Sequence, residues 1–273
     1  MNDKNSDKSG IATINGAQVY YEVMGTGQPL LLVHAGVADS RMWDAQVDAF
    51  SKDYQVIRFD LRGFGRSNMP PGPFSNHEDV RGLLDFLQLK PVSVVGISFG
   101  GLIALDFALA YPDYVLALIL GAPSVSGAAP SERIKRFWEE EEKALDRGDL
   151  EGATELNLRL WVDGPHRTPQ QVSPVVRDQV QEMQMAIFRK EIPDDVDELA
   201  LVPAATGRLG EVDIPVQVMI GELDLEEKHM LVDRLVREIA GSQKAVIRGA
   251  AHMLNMEQAE VFNRSVLEFL SEI

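Results

Sequence analysis

Cysteine is absent from all 273 positions. That excludes disulfides, thiolate nucleophiles, iron–sulfur clusters and zinc sites that need a sulfur ligand. Basic residues are scarce: 26 Lys and Arg stand against 42 Asp and Glu, a net charge of −16. Phosphate backbones and anionic lipid repel such a chain, so neither nucleic acid nor a membrane surface is expected as a partner. Long apolar runs are missing too; the stretch 115–121 is far short of the ~20 residues that cross a bilayer. The opening MNDKNSDKSG has no apolar segment of the secretory kind, which predicts a cytoplasmic protein with a disordered tail over residues 1–10. There are five histidines and they do not cluster. With no H-E-x-x-H and no Rossmann or phosphate-loop glycine pattern, neither metal nor cofactor is expected.

What is present alternates. Segments 11–14 and 17–24 flank Asn15-Gly16, a pair that tolerates positive φ, and predict a hairpin. Apolar runs at 29–34, 55–60, 92–97 and 114–121 predict buried strands. Helical periodicity at 40–50, 76–89 and 99–111 separates them. This order predicts a mostly parallel sheet of eight strands with helices on both faces. The alternation stops over 124–205, where helices are expected at 132–147, 150–161 and 175–188. It resumes with strand 215–221, helix 227–240, strand 243–248 and helix 256–271. The chain therefore divides into a core (11–123 and 206–273) and a helical insertion (124–205).

The most informative stretch is Gly96-Ile-Ser98-Phe-Gly100, directly between a strand and a helix. A G-x-S-x-G in that setting is a nucleophile elbow: the glycines permit a tight turn, and the serine is pushed out at the carboxyl edge of the sheet. The following helix offers free N–H groups to a developing oxyanion. Where this elbow occurs, the acid and then the base follow the serine along the chain, leaving His166, His229 and His252 as bases. His252 alone sits in a small-residue loop after a strand. Asp224, just past the strand 215–221, is the expected acid. Glu222 follows the turn glycine directly, and Asp213 precedes the strand at the wrong sheet edge. Phe99 N–H is one expected oxyanion donor. The other is Gly36, in the loop after the first parallel strand, where His34 is expected to pin the turn.

These landmarks resemble the α/β-hydrolase superfamily over nearly the whole chain. They are His34-Ala-Gly36 with Trp43 nine residues on, D-L-R-G-F-G-R-S at 60–67, G-I-S-F-G-G at 96–101, G-E-L-D at 221–224 and G-A-A-H at 249–252. They look most like small cofactor-free carboxylesterases and 3-oxoadipate enol-lactonases. The resemblance implies a serine esterase acting on a small ester or lactone. Ser98 argues against the dehalogenases and epoxide hydrolases of this fold, which carry Asp there. Ala35 stands where relatives usually have glycine, and Gly36 leaves that corner without a side chain. The insertion is expected to cap the site and, through Phe137, Trp138, Leu145, Leu158, Trp161, Met183, Met185 and Phe188, to give it an apolar wall. Pocket candidates are His34, Trp138, Trp161, Met185 and Met253. Three other readings compete: lactone hydrolysis, including a carboxylated substrate held by Arg133, Arg136 or Arg159; C–C bond hydrolysis; and a non-catalytic ligand-binding protein.

Overall fold

The computed structural model describes residues 7–273. Chain order begins with β1 (Lys8–Ile14), β2 (Ala17–Met24), β3 (Gln28–Val33), α1 (Asp44–Phe50), β4 (Tyr54–Phe59), β5 (Gly72–Phe74), α2 (Asn76–Leu87), β6 (Val92–Ile97), α3 (Phe99–Ala110) and β7 (Val115–Gly121). The insertion follows with α4 (Glu132–Asp146), α5 (Leu150–Asn157), α6 (Pro174–Phe188) and β8 (Val196–Glu198). The chain closes with β9 (Val216–Gly221), α7 (Glu226–Glu238), β10 (Gln243–Ile247), α8 (Leu254–Glu257) and α9 (Ala259–Leu270).

Eight strands form one sheet in the order β1-β2-β4-β3-β6-β7-β9-β10. Only β2 runs against the rest, antiparallel to both β1 and β4. Burial follows from this topology. β2 alternates buried and more open positions, as a strand with one wet face must. β6 and β9, covered on both faces, are buried at all six positions. From β3 the chain first steps to β4 on one side and then places β6 on the other. Right-handed crossovers therefore put α1 and α2 on opposite faces. α1 packs with α9, and Trp43 lies 6.3 Å from Phe262 there; α2 packs with α3. The reversal at β3 and β6 opens a crevice beyond their carboxyl ends, where open α/β sheets bind ligands.

Four local features differ from expectation. The tail expected over 1–10 is ordered from Lys8, where β1 begins and pairs with Val23; residues 1–6 lie outside the described residues. β5 and β8, three residues each, pair in parallel and tie the insertion to the core; strands this short carry no periodicity. The expected 150–161 helix widens into a π turn over Leu158–Asp163. The expected 256–271 helix begins earlier and breaks at Gln258. Among the described residues no helix is long and apolar enough to cross a membrane.

Candidate active site

Ser98 joins β6 to α3 with φ 56° and ψ −113°, a conformation that L-residues rarely adopt. The flanking glycines are steric necessities. A Cβ on Gly96 would come within 2.3 Å of Gly100 O, and one on Gly100 within 2.2 Å of Val33 O. α3 therefore starts against the end of β3, with the loop at Gly36 beside it. A Cβ on Gly36 would lie at 3.5 Å from that of Phe99, ordinary contact. As the first residue of α3, Phe99 has an N–H with no intrahelical acceptor.

The loops of Asp224 and His252 leave β9 and β10 side by side. Glu222 N donates to Ile247 O (2.9 Å) and Leu223 N to Ala250 O (2.8 Å). Gly221 allows this approach, since a Cβ there would meet Ala251 O at 2.0 Å. The loops bring Asp224 Oδ2 to 2.9 Å from His252 Nδ1, and His252 Nε2 to 2.8 Å from Ser98 Oγ. Burial opposes ionisation of Asp224. The imidazole, the Leu225 amide and Lys228 outweigh it and hold the carboxyl below its usual range. An ionised Asp224 requires a proton on Nδ1, so Nε2 is the acceptor facing the serine hydroxyl. Glu222 turns the other way and accepts from Gly249 N (3.0 Å). Asp213 stands before β9, at the opposite edge.

A cavity of about 360 Å³ opens above the serine. Its floor is Gly36, Val37, Ser98, Phe99 and His252; its walls and roof come from the insertion, with Phe137, Trp138, Trp161 and Phe188 as the aromatic part. The Trp161 ring lies 4.6 Å from that of His252. Of the pocket candidates, Trp138 and Trp161 line this cavity, whereas His34, Met185 and Met253 do not. His34 is fully buried: Nε2 accepts from Leu61 N and Nδ1 donates to Ala35 O, both at 2.9 Å, so it fastens the loop. Met185 and Met253 are packing residues, 8% and 0% exposed. Arg133, Arg136 and Arg159 stay outside as well; Arg159 pairs with Glu155 and Asp163. None of His77, His166 and His229 lines the cavity.

Sequence reasoning overlooked Lys228. It is 8% exposed, donates to Pro123 O (3.1 Å) and Ser124 Oγ (3.0 Å), and is pushed by burial down to about 8. Its signal was present: it shares the apolar stripe of α7 with Val232 and Leu235. The four carboxylates Glu139–Glu142 read from the sequence as a solvated helix face, yet Glu141 lines the cavity wall; Asn157 and Gln184, also on that wall, were overlooked because the three come from separate helices. Among the described residues no group of three or more His, Asp or Glu could hold a metal ion.

The sheet order, the elbow at the β3/β6 crevice and the two strand-end loops are features of one family, and the chain belongs to it: the alpha/beta hydrolase family model matches residues 30–265. A 2-hydroxy-6-oxononadienedioate/2-hydroxy-6-oxononatrienedioate hydrolase of Burkholderia vietnamiensis is 30% identical over 269 residues, covering 93% of this chain and 91% of that protein. A pimeloyl-[acyl-carrier protein] methyl ester esterase of Vibrio atlanticus is 25% identical over 262 residues, covering 92% and 97%. Among solved structures, a thermophilic esterase from Thermogutta terrifontis superposes with a TM-score of 0.78 at 26% identity, covering 97% of this chain and 98% of that one.

Proposed function

We propose that the chain is a serine hydrolase of carboxylic esters working through an acyl-enzyme. The observation that carries this reading is the continuous contact Ser98–His252–Asp224 at the mouth of the β3/β6 crevice. Ser98 Oγ attacks the ester carbonyl carbon while its proton passes to His252 Nε2. Asp224 keeps the imidazole oriented and stabilises its cation. The amides of Gly36 and Phe99 receive the oxyanion. His252 then protonates the departing alcohol and draws a proton from water for deacylation.

A lactone is a cyclic ester and passes through the same steps, so neutral lactones fall within this reading. Carboxylated lactones and dioates fit less well, because among the described residues no Lys or Arg lines the cavity to receive a second carboxylate. The reading is tested with p-nitrophenyl butyrate. Ser98→Ala should lower kcat by roughly 10⁴–10⁶-fold while leaving the fold intact. A serine-directed organophosphonate should add one mass label, on the peptide containing Ser98. Turnover by Ser98→Ala at the wild-type rate would overturn the assignment.

A further inference from the structure

The cavity carries polar groups that the hydrolytic chemistry does not use. Glu141 of α4, Asn157 at the end of α5 and Gln184 of α6 all line it. Asn157 Nδ2 donates to Glu141 Oε1 and, at 3.0 Å, to Ala153 O. Burial pushes the Glu141 carboxyl up; among the described residues only the Asn157 amide pulls the other way, and no cation bears on it. Gln184 is 3% exposed, and its Oε1 has no hydrogen-bond partner among the described residues.

Unsatisfied buried acceptors are costly, and a carboxylate without a counter-charge doubly so. What would relieve both is a group that donates hydrogen bonds and carries positive charge. The neighbouring walls suit such a group, since Phe137, Trp161 and Phe188 line them and aromatic rings attract cations. A substrate carboxylate would instead meet Glu141 with like charge. Resting on the esterase reading above, we propose that Glu141 and Gln184 make this a site for amine-bearing substrates. Such substrates are esters or lactones with an ammonium group remote from the scissile carbonyl. Carboxylated counterparts are disfavoured.

The experiment compares p-nitrophenyl hexanoate, p-nitrophenyl 6-aminohexanoate and mono-p-nitrophenyl adipate, each corrected for spontaneous hydrolysis; the 8-aminooctanoate and suberate pair covers a longer reach. The expected kcat/KM for the ammonium ester exceeds that for the carboxylated one by roughly 10–100-fold in at least one pair, the scale of a charge-assisted hydrogen bond. Glu141→Gln keeps an acceptor for Asn157 and removes the charge, and should collapse that ratio several-fold. Gln184→Leu should lower it to a lesser degree. Equal or better turnover of the carboxylated esters, or a ratio indifferent to Glu141→Gln, overturns the inference while leaving the esterase reading standing. If no ester is turned over, the esterase reading fails, and binding decides the inference separately. Calorimetry with hexylammonium and hexanoate on Ser98→Ala should favour hexylammonium, and the reverse order overturns the proposal.

Discussion

Asp224 and Asp106 are equally buried, each 3% exposed, yet their carboxyls shift in opposite directions. Burial penalises the charge on both. At Asp224 the imidazole of His252, the Leu225 amide and Lys228 more than offset that penalty, and the group stays ionised. At Asp106, further along α3, burial lifts the carboxyl to about 6; the Ser126 hydroxyl offsets only part of the rise, and Glu198 adds to it. Exposure alone therefore says little about charge in this molecule, and the number and sign of the donors decides it. The assignment of roles follows the same line. In the mechanism proposed above, the carboxylate that stabilises a transient imidazolium must be charged throughout, whereas one that clasps a hydroxyl need not be.

The comparison breaks most sharply at Asp224. Asp224→Asn keeps the shape but favours the wrong imidazole tautomer, and should cost about 10⁴ in kcat on a p-nitrophenyl ester. Glu222→Gln, which loses only charge on a contact to Gly249 N, should cost far less; the opposite ranking would move the acid assignment to Glu222. Lys228 sharpens the comparison from the cation's side. Its native pKa of about 8 lies below the ordinary 10.5, so the unfolded chain holds this proton more tightly. Stability should thus rise as pH climbs from about 8 to 10.5, by roughly 3 kcal/mol in total. Urea unfolding of the wild type and Lys228→Met across that range should show the rise only in the wild type. Asp106 has the opposite sign. Its native pKa of about 6 lies above 3.8, so its contribution to stability is lost as pH rises from about 4 to 6. Asp106→Asn should therefore match the wild type below pH 4 and exceed it above pH 6 by roughly 2–3 kcal/mol. Equal stabilities at pH 8 would show that Asp106 is ionised at no cost.

The fold was legible where its signals are local. β6, Ser98 and α3 are consecutive, so the strand–serine–helix arrangement can be read from one short window. The loops of Asp224 and His252 could be placed because each follows a strand, β9 buried throughout and β10 buried only at its end. Facing was harder. On α6 the residues toward the cavity are Gln184, Ile187 and Phe188, spaced three and four apart, while Met185 turns into the packing. An apolar helix that touches both core and cavity does not mark which methionine belongs to which. His34 and Met253 misled for a different reason. Adjacency to a functional residue in sequence says nothing about direction, and both side chains point into the core. The β5/β8 pairing lay beyond reach because two three-residue strands join positions more than a hundred residues apart.

Ser126 stands where the insertion leaves the core and Ala205 where it returns. Ser126 Oγ donates to Asp106 Oδ1 (2.7 Å) and accepts from Ala205 N (2.9 Å), while Thr206 N donates to Ser126 O (3.0 Å). The two ends of some eighty residues are thus fastened at a single point on α3. A segment attached this way behaves as a cartridge. Because its ends meet at one point, a change of length within it leaves the spacing at which it leaves and rejoins the core unaltered, while the β5/β8 pairing holds its far side.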